Sequence, residues 1–108
     1  MPEPYEPQDA LSILRQILSN DGDLVVRSHC YERMAERSAD DVDVRKVLEE
    51  NGIIQSGPDF DQKYKKWKYS VDGYDTENEK LRVVVNISEV NWRVVAISVV
   101  GDWKEKKK

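Results

Sequence analysis

Residues 81–100 read LRVVVNISEVNWRVVAISVV. Leu81, Val83, Val85 and Ile87 alternate with Arg82, Val84, Asn86 and Ser88, a period of two that buries one face of a strand. From Trp92 to Val100 the chain is apolar at both parities, which suits a central or doubly covered strand. Glu89-Val90-Asn91 is a connection of hairpin length. Upstream, KKWKYSVDG (65–73) repeats the alternation, with Trp67, Tyr69 and Val71 on one side and Lys66, Lys68 and Ser70 on the other. Residues 73–79 again have hairpin length, so the second half of the chain reads as an antiparallel meander.

The first half carries a different period. Ala10, Ile13, Leu14, Ile17 and Leu18 are spaced as one face of a helix that begins at about Asp9 and stops at Asn20-Asp21-Gly22. Leu24-Val25-Val26 is a short extended piece or a buried connector. Ser28 is placed to cap a second helix running to about Arg37, because its hydroxyl can accept from an orphan backbone N–H. Asp40, with Asp43 three residues on, starts a third helix whose apolar stripe is Val44, Val47 and Leu48 and whose stop is Gly52. Helices followed by strands predict an α+β domain: two to three N-terminal helices packed on a three- to four-stranded antiparallel sheet. The expected boundaries are a loosely held, proline-rich arm at 1–7, one domain at 8–103, and a charged tail at 104–108.

With 108 residues, 39% of them apolar, the chain is long enough for one modest core. A charged fraction of 35% and a net charge of −4 imply a well-solvated surface and argue against indiscriminate nucleic-acid binding, while leaving room for a local basic stripe. One cysteine cannot form an internal disulfide, and no apolar run is long enough to span a membrane. The expected compartment is therefore the cytoplasm. Walker, GxGxxG, paired-carboxylate and serine-triad patterns are absent from the sequence.

Candidate chemistry lies in SHCYERMAER (28–37), which holds the sole histidine and the sole cysteine. On a helix His29, Arg33 and Arg37 form one slowly turning stripe, while Cys30, Tyr31, Met34 and Ala35 occupy an apolar arc. The positive end of the helix and the nearby Arg33 favour a neutral imidazole, which can act as a general base. Guanidinium groups can hold phosphate oxygens. Metal-independent RNA cleavage needs both; a group to protonate the leaving oxygen is not evident in the stripe. The plainer alternative makes His29 a capping residue and pairs the arginines with Glu32 and Glu36. Lys66 and Lys68, with Arg82 and Arg93 on the later strands, can track an RNA backbone, or serve as solvated edge charges. Cys30 reads as a buried structural thiol. Neither a metal nor a cofactor is expected, since one histidine and one cysteine adjacent in sequence do not make a ligand set.

Taken together, SHCYERMAER, DVRKVLEENGII (43–54), KWKYSVDG (66–73), LRVVVNI (81–87) and VVAISVV (94–100) resemble the bacterial domain-of-unknown-function family 4258, over roughly Val25 to Val100. That family in turn resembles the RelE-like and barnase-like metal-independent ribonuclease toxins. The resemblance implies helices on a small antiparallel sheet, activity at His29, Arg33 and Arg37, RNA as substrate, and an acidic antitoxin protein as partner. The alternative is a non-catalytic interaction module that keeps the same fold.

Overall fold

The computed structural model describes residues 4–55, 57–63 and 65–101. Three helices precede most of the sheet: α1 (Pro7–Ser19), α2 (Ser28–Glu36) and α3 (Asp41–Lys46), the last continued by a π-helical turn at Val47–Asn51. The strands are β1 (Asp23–Val26), β2 (Asp59–Asp61), β3 (Lys66–Tyr74), β4 (Lys80–Ser88) and β5 (Arg93–Gly101). Among the described residues they form one sheet in the order β1-β5-β4-β3-β2. The α+β class is as expected, but the sheet has five strands rather than three or four. It is also mixed rather than antiparallel, because β1 runs parallel to β5. The two additional strands are four and three residues long, too short to show a period of two.

Alternation explains the core. Tyr69 and Val71 of β3, Val83 and Val85 of β4, and Val94, Ala96 and Val99 of β5 are fully buried. From the helices Ala10, Leu14, Ile17, Cys30, Val44, Val47 and Leu48 meet them in one cluster. Each such aliphatic side chain contributes about 1.5–3 kcal/mol by leaving water. β5 lies between β1 and β4, and its register against β4 shifts by one residue, from Val84↔Ser98 to Val85↔Ala96. The extra residue, Ile97, interrupts the alternation, so Ala96 and Val99 both reach the core.

The helix ends are fixed by identifiable groups. After α1, Asp21 takes a left-handed conformation (φ 64°), and the Gly22 amide donates to the Ile17 carbonyl at 2.8 Å. A β-carbon on Gly22 would lie 2.3 Å from Ile17 Cγ2, so only glycine fits. α2 departs from expectation by one residue: Arg27, in extended conformation, is the cap, and Ser28 is already helical. No side chain caps this helix. Orphan carbonyls after α3 are met by Arg15, whose Nε donates to Leu48 O (3.1 Å) and Nη2 to Gly52 O (2.7 Å). The π-helical turn lies close against β3. Asn51 Oδ1 accepts from the Tyr74 amide and its Nδ2 donates to the Tyr74 carbonyl, while Ile53 pairs with Asp72 through both backbone bonds. A side-chain amide thus completes a strand edge that would otherwise be open.

The arm read as loose is tied down at Tyr5, which is 5% exposed. Its amide donates to Tyr69 Oη at 3.0 Å, its own hydroxyl donates to Glu89 Oε1 at 2.8 Å, and its ring stacks on Tyr69. Residues 104–108, read above as a charged tail, lie outside the described residues, as does Trp103 within the expected domain. No helix among the described residues is long and apolar enough to cross a membrane.

Asp40 and Asp43 form the expected capping box, and Asp43 does more. Its Oδ2 accepts from the Asp40 amide, while Oδ1 accepts from both the Thr76 amide (2.9 Å) and the Thr76 hydroxyl (2.6 Å). One buried carboxylate therefore ties α3 to the β3–β4 turn. Burial pushes its pKa up, but the donors from Thr76 and Asp40 outweigh this and hold it below the usual carboxylate value. Replacing Asp43 by alanine is expected to cost about 2–3 kcal/mol in chemical denaturation, the sum of a cap and a charged hydrogen bond. Because the folded-state pKa is depressed, the advantage of wild type over Asp43→Asn is full above the unfolded-state value of about 4. It should narrow as pH falls below that value, and equal midpoints at pH 7 would refute the assignment.

Candidate functional site

The β1–β5 pairing decides what stands near the start of α2. Its register runs Asp23↔Arg93, Val25↔Val95, Val26↔Ala96, and the Arg27 amide extends it by donating to the Ala96 carbonyl at 3.1 Å. The Arg27 carbonyl then accepts from the Tyr31 amide, the first turn of α2. The chain passes from strand to helix within one residue, beside Ala96 near the middle of β5. His29, the second residue of α2, is exposed. It lines an open hollow of about 590 Å³ with Val25, Val26, Arg27, Ser28, Arg93 and Val95.

A second hollow of about 310 Å³ adjoins the first, sharing Arg27, Arg93 and Val95 as walls. Lys66, Trp67, Asn86 and Ser88 line its far side, with Tyr5 and Glu89 at one end. Asn86 is buried, and its Nδ2 donates to the Trp67 carbonyl at 2.7 Å. The two hollows make one depression at this end of the sheet, with Arg27, Arg93 and Lys66 contributing cationic groups and His29 an imidazole.

The sequence-derived residues are distributed unevenly over this surface. His29 and Arg93 share one hollow; Arg93 and Lys66 share the other. Arg33 and Arg37 line neither. Arg33 Nη1 contacts Glu36 Oε1 at 3.3 Å, and its Nε is buried with no hydrogen-bond partner among the described residues. The stem of Arg37 lies over Gly101, where an added β-carbon would come within 3.0 Å of Arg37 Cδ. That is the far end of β5 from Arg93. Eight helical steps, about 12 Å along the axis, separate His29 from Arg37, so a stripe continuous on the helix is drawn out along the strand beneath it.

Lys68 is half-buried and faces Asp59 across the β2–β3 pair, as Lys66 faces Asp61. Arg82 is engaged elsewhere: its Nε donates to Asp72 Oδ1 at 2.6 Å and its Nη2 to Oδ2 at 3.1 Å. The Asp72 side chain is 5% exposed against 31% for Arg82. The fork on the carboxylate raises the arginine pKa further, against the opposing effect of burial. Arg27 is a member of the depression that the sequence reading passed over. Its signal was parity: two residues after Val25, it continues the same face of β1.

Cys30 is fully buried, as expected. Burial first, and the charge of Asp41 second, push its thiol up to about 11, which keeps it protonated and unreactive at neutral pH. Among the described residues no three His, Cys, Asp or Glu side chains gather as a candidate metal set.

A family model described as Domain of unknown function (DUF4258) matches residues 26–99. The match starts at the end of β1 and runs into β5, so it includes Arg27, His29, Lys66 and Arg93, and leaves α1 outside. No curated protein and no solved structure matches the chain.

Arg82 provides a separate check on how the open face of the sheet is held. Arg82→Ala would leave the Asp72 carboxylate buried without its charged partner and is expected to cost about 2–4 kcal/mol. Urea denaturation measures this directly. A loss below about 0.5 kcal/mol, the range of ordinary surface substitutions, would show that the pair has no structural role.

Proposed function

This chain belongs to the DUF4258 family, and from that premise we propose that it binds RNA in the depression at the β1–β5 end and cleaves it without a metal ion. The observation that carries this reading is the exposed imidazole of His29 in one hollow with Arg93. Cleavage of this kind is an in-line attack by a ribose 2′-oxygen on the adjacent phosphorus. His29 takes the 2′-hydroxyl proton as general base. Arg93 and Arg27 hold the non-bridging oxygens and stabilise the charge that grows on them. Lys66, across the second hollow, attracts the neighbouring phosphate.

Solvent enters both hollows and supplies the proton that the departing 5′-oxygen requires. A positioned general acid typically contributes 10²–10⁴-fold, so cleavage served by solvent is expected to be slow. The acidic net charge of −4 does not oppose the reading, because two arginines, a lysine and a histidine share one short region of surface. Arg33 and Arg37 support the fold and its surface in this account and do not touch the substrate.

The test is incubation of the purified protein with single-stranded RNA in excess chelator. Cleavage is expected for wild type, with a loss of at least about a hundredfold for His29→Ala and for Arg93→Glu in well-folded protein. Arg33→Ala and Arg37→Ala should keep rates within about threefold of wild type, given that neither lines the depression. Wild-type protein that leaves several RNAs intact and fails to bind them would refute the proposal. Activity that depends on Arg37 and not on Arg93 would move the site to the other end of α2.

A further inference from the structure

Among the described residues β1 is the outermost strand of the sheet on its side. Asp23 and Arg27 donate their amides to the Trp92 and Ala96 carbonyls, so the odd-numbered residues of this stretch turn their backbone groups toward β5. The amides and carbonyls of Leu24 and Val26 therefore point the other way, to the open edge. The side chains of Asp23, Val25 and Arg27 share one face, and Val25, at the middle, is 37% exposed. Charge is disposed about Val25 with opposite sign: an acid stands two residues before it and an arginine two residues after. An antiparallel copy of this stretch centred on Val25 sets Asp23 against Arg27 on both sides of the centre. The opposite edge of the sheet lacks this property. β2 reads Asp59-Phe60-Asp61, and the same operation about Phe60 sets aspartate against aspartate, which repels.

We infer that β1 is the interface of a homodimer, in which two copies of the chain pair antiparallel across a two-fold axis at Val25 and join their sheets into one. Backbone and side chains independently require the same register. Centring on Val25 places Leu24 opposite Val26 of the second copy, and these are the residues whose amides and carbonyls face outward, so each such pair exchanges both hydrogen bonds. Val25 meets its own counterpart on the axis, in the closely spaced position between the bonded pairs. Asp23 approaches Arg27 of the second copy, and Arg27 approaches Asp23 of the second copy. A contact of this kind is self-complementary and closes at two subunits, which also removes the open edge. The edge is four residues long, so the contact is small and the dimer comes apart on dilution. The hollow that holds His29 includes Val25 and Arg27, so the two copies of that hollow meet at the axis. The inference does not need the RNA reading, since it stands on the strand edge, its register and its charges.

The test is sedimentation equilibrium of the full chain at concentrations up to about 1 mM. Wild type should pass from monomer to dimer as concentration rises, and hydrogen exchange at the Leu24 and Val26 amides should slow by at least about tenfold over the same range. Asp23→Lys and Arg27→Asp should each weaken the dimer by at least about tenfold, because each sets like charges opposite one another. The double variant restores opposite charges across the axis and should return to within about threefold of wild type. Val25→Cys treated with oxidised glutathione should yield a disulfide-linked dimer, since the axial position lies within the Cα separation that a disulfide spans. Phe60→Cys, on the other edge and 39% exposed in the native residue, should not. A chain that stays monomeric at the highest concentration would overturn the inference. So would a dimer that neither charge reversal weakens, or one that a well-folded double variant fails to restore.

Discussion

Parallel pairing of Asp23–Val26 with Arg93–Ala96 is the constraint on which the rest of the molecule turns. A parallel pair cannot be closed by a tight turn and needs a long crossover. Here that crossover contains α2, α3 and the strands β2 to β4, so the first and last strands of the sheet's wide half are joined only by contacts. Once the register is set, Asp23 lies opposite Arg93 and the passage from Arg27 into α2 lies beside Ala96, near the middle of β5. His29 and Arg93, 64 residues apart in sequence, then line one hollow. Sliding β1 by a single residue would send Val25 and Arg27 to the core face and Leu24 and Val26 to solvent, which burial in the helical layer strongly opposes.

That layer is fastened by a few polar groups at its margins. Arg15 collects the carbonyls left open after α3, Asn51 completes the edge of β3, and Asp43 joins the helix start to the β3–β4 turn. Each satisfies backbone groups that burial would otherwise leave without partners, at a net value of about 1 kcal/mol per neutral bond and more where a charge takes part. Tyr5 does the same for the chain before α1, with its amide on Tyr69 and its hydroxyl on Glu89. Because Tyr5 and Glu89 also border the second hollow, the fastening of the N-terminal segment and the shape of the depression are linked.

The residues differ in how readily they could be read from sequence. Strands β3 and β4 were legible because a period of two over nine residues has no competing explanation, and β5 showed its central place by apolar residues at both parities between Arg93 and Ser98. β1 was ambiguous: four residues show no period, and parallel pairing has no local signature. In the same way β2 was hidden by its length. The stripe of His29, Arg33 and Arg37 follows from helical geometry, but on the folded surface Arg33 and Arg37 do not line the hollow that holds His29. α2 lies along β5, so its two ends meet different parts of the sheet, and Arg33 finds Glu36 on its own helix. Arg82 belonged to Asp72 all along; the two are directly opposite in the β3–β4 register, a relation visible only once the hairpin is counted through. Arg27 gives no signal in the helical pattern that follows it, and its place is fixed only by the β1 pairing that its amide extends to Ala96.

The central claim is that one depression, created by the β1–β5 register, unites His29 with Arg93 and separates both from Arg37. Side-chain resonances report this directly. Titrating a short single-stranded oligonucleotide into labelled protein, the His29 ring and the Arg93 Nε signals should shift together with one common dissociation constant, while the Arg37 Nε signal stays still. Movement of Arg37 with a static Arg93 would contradict the account.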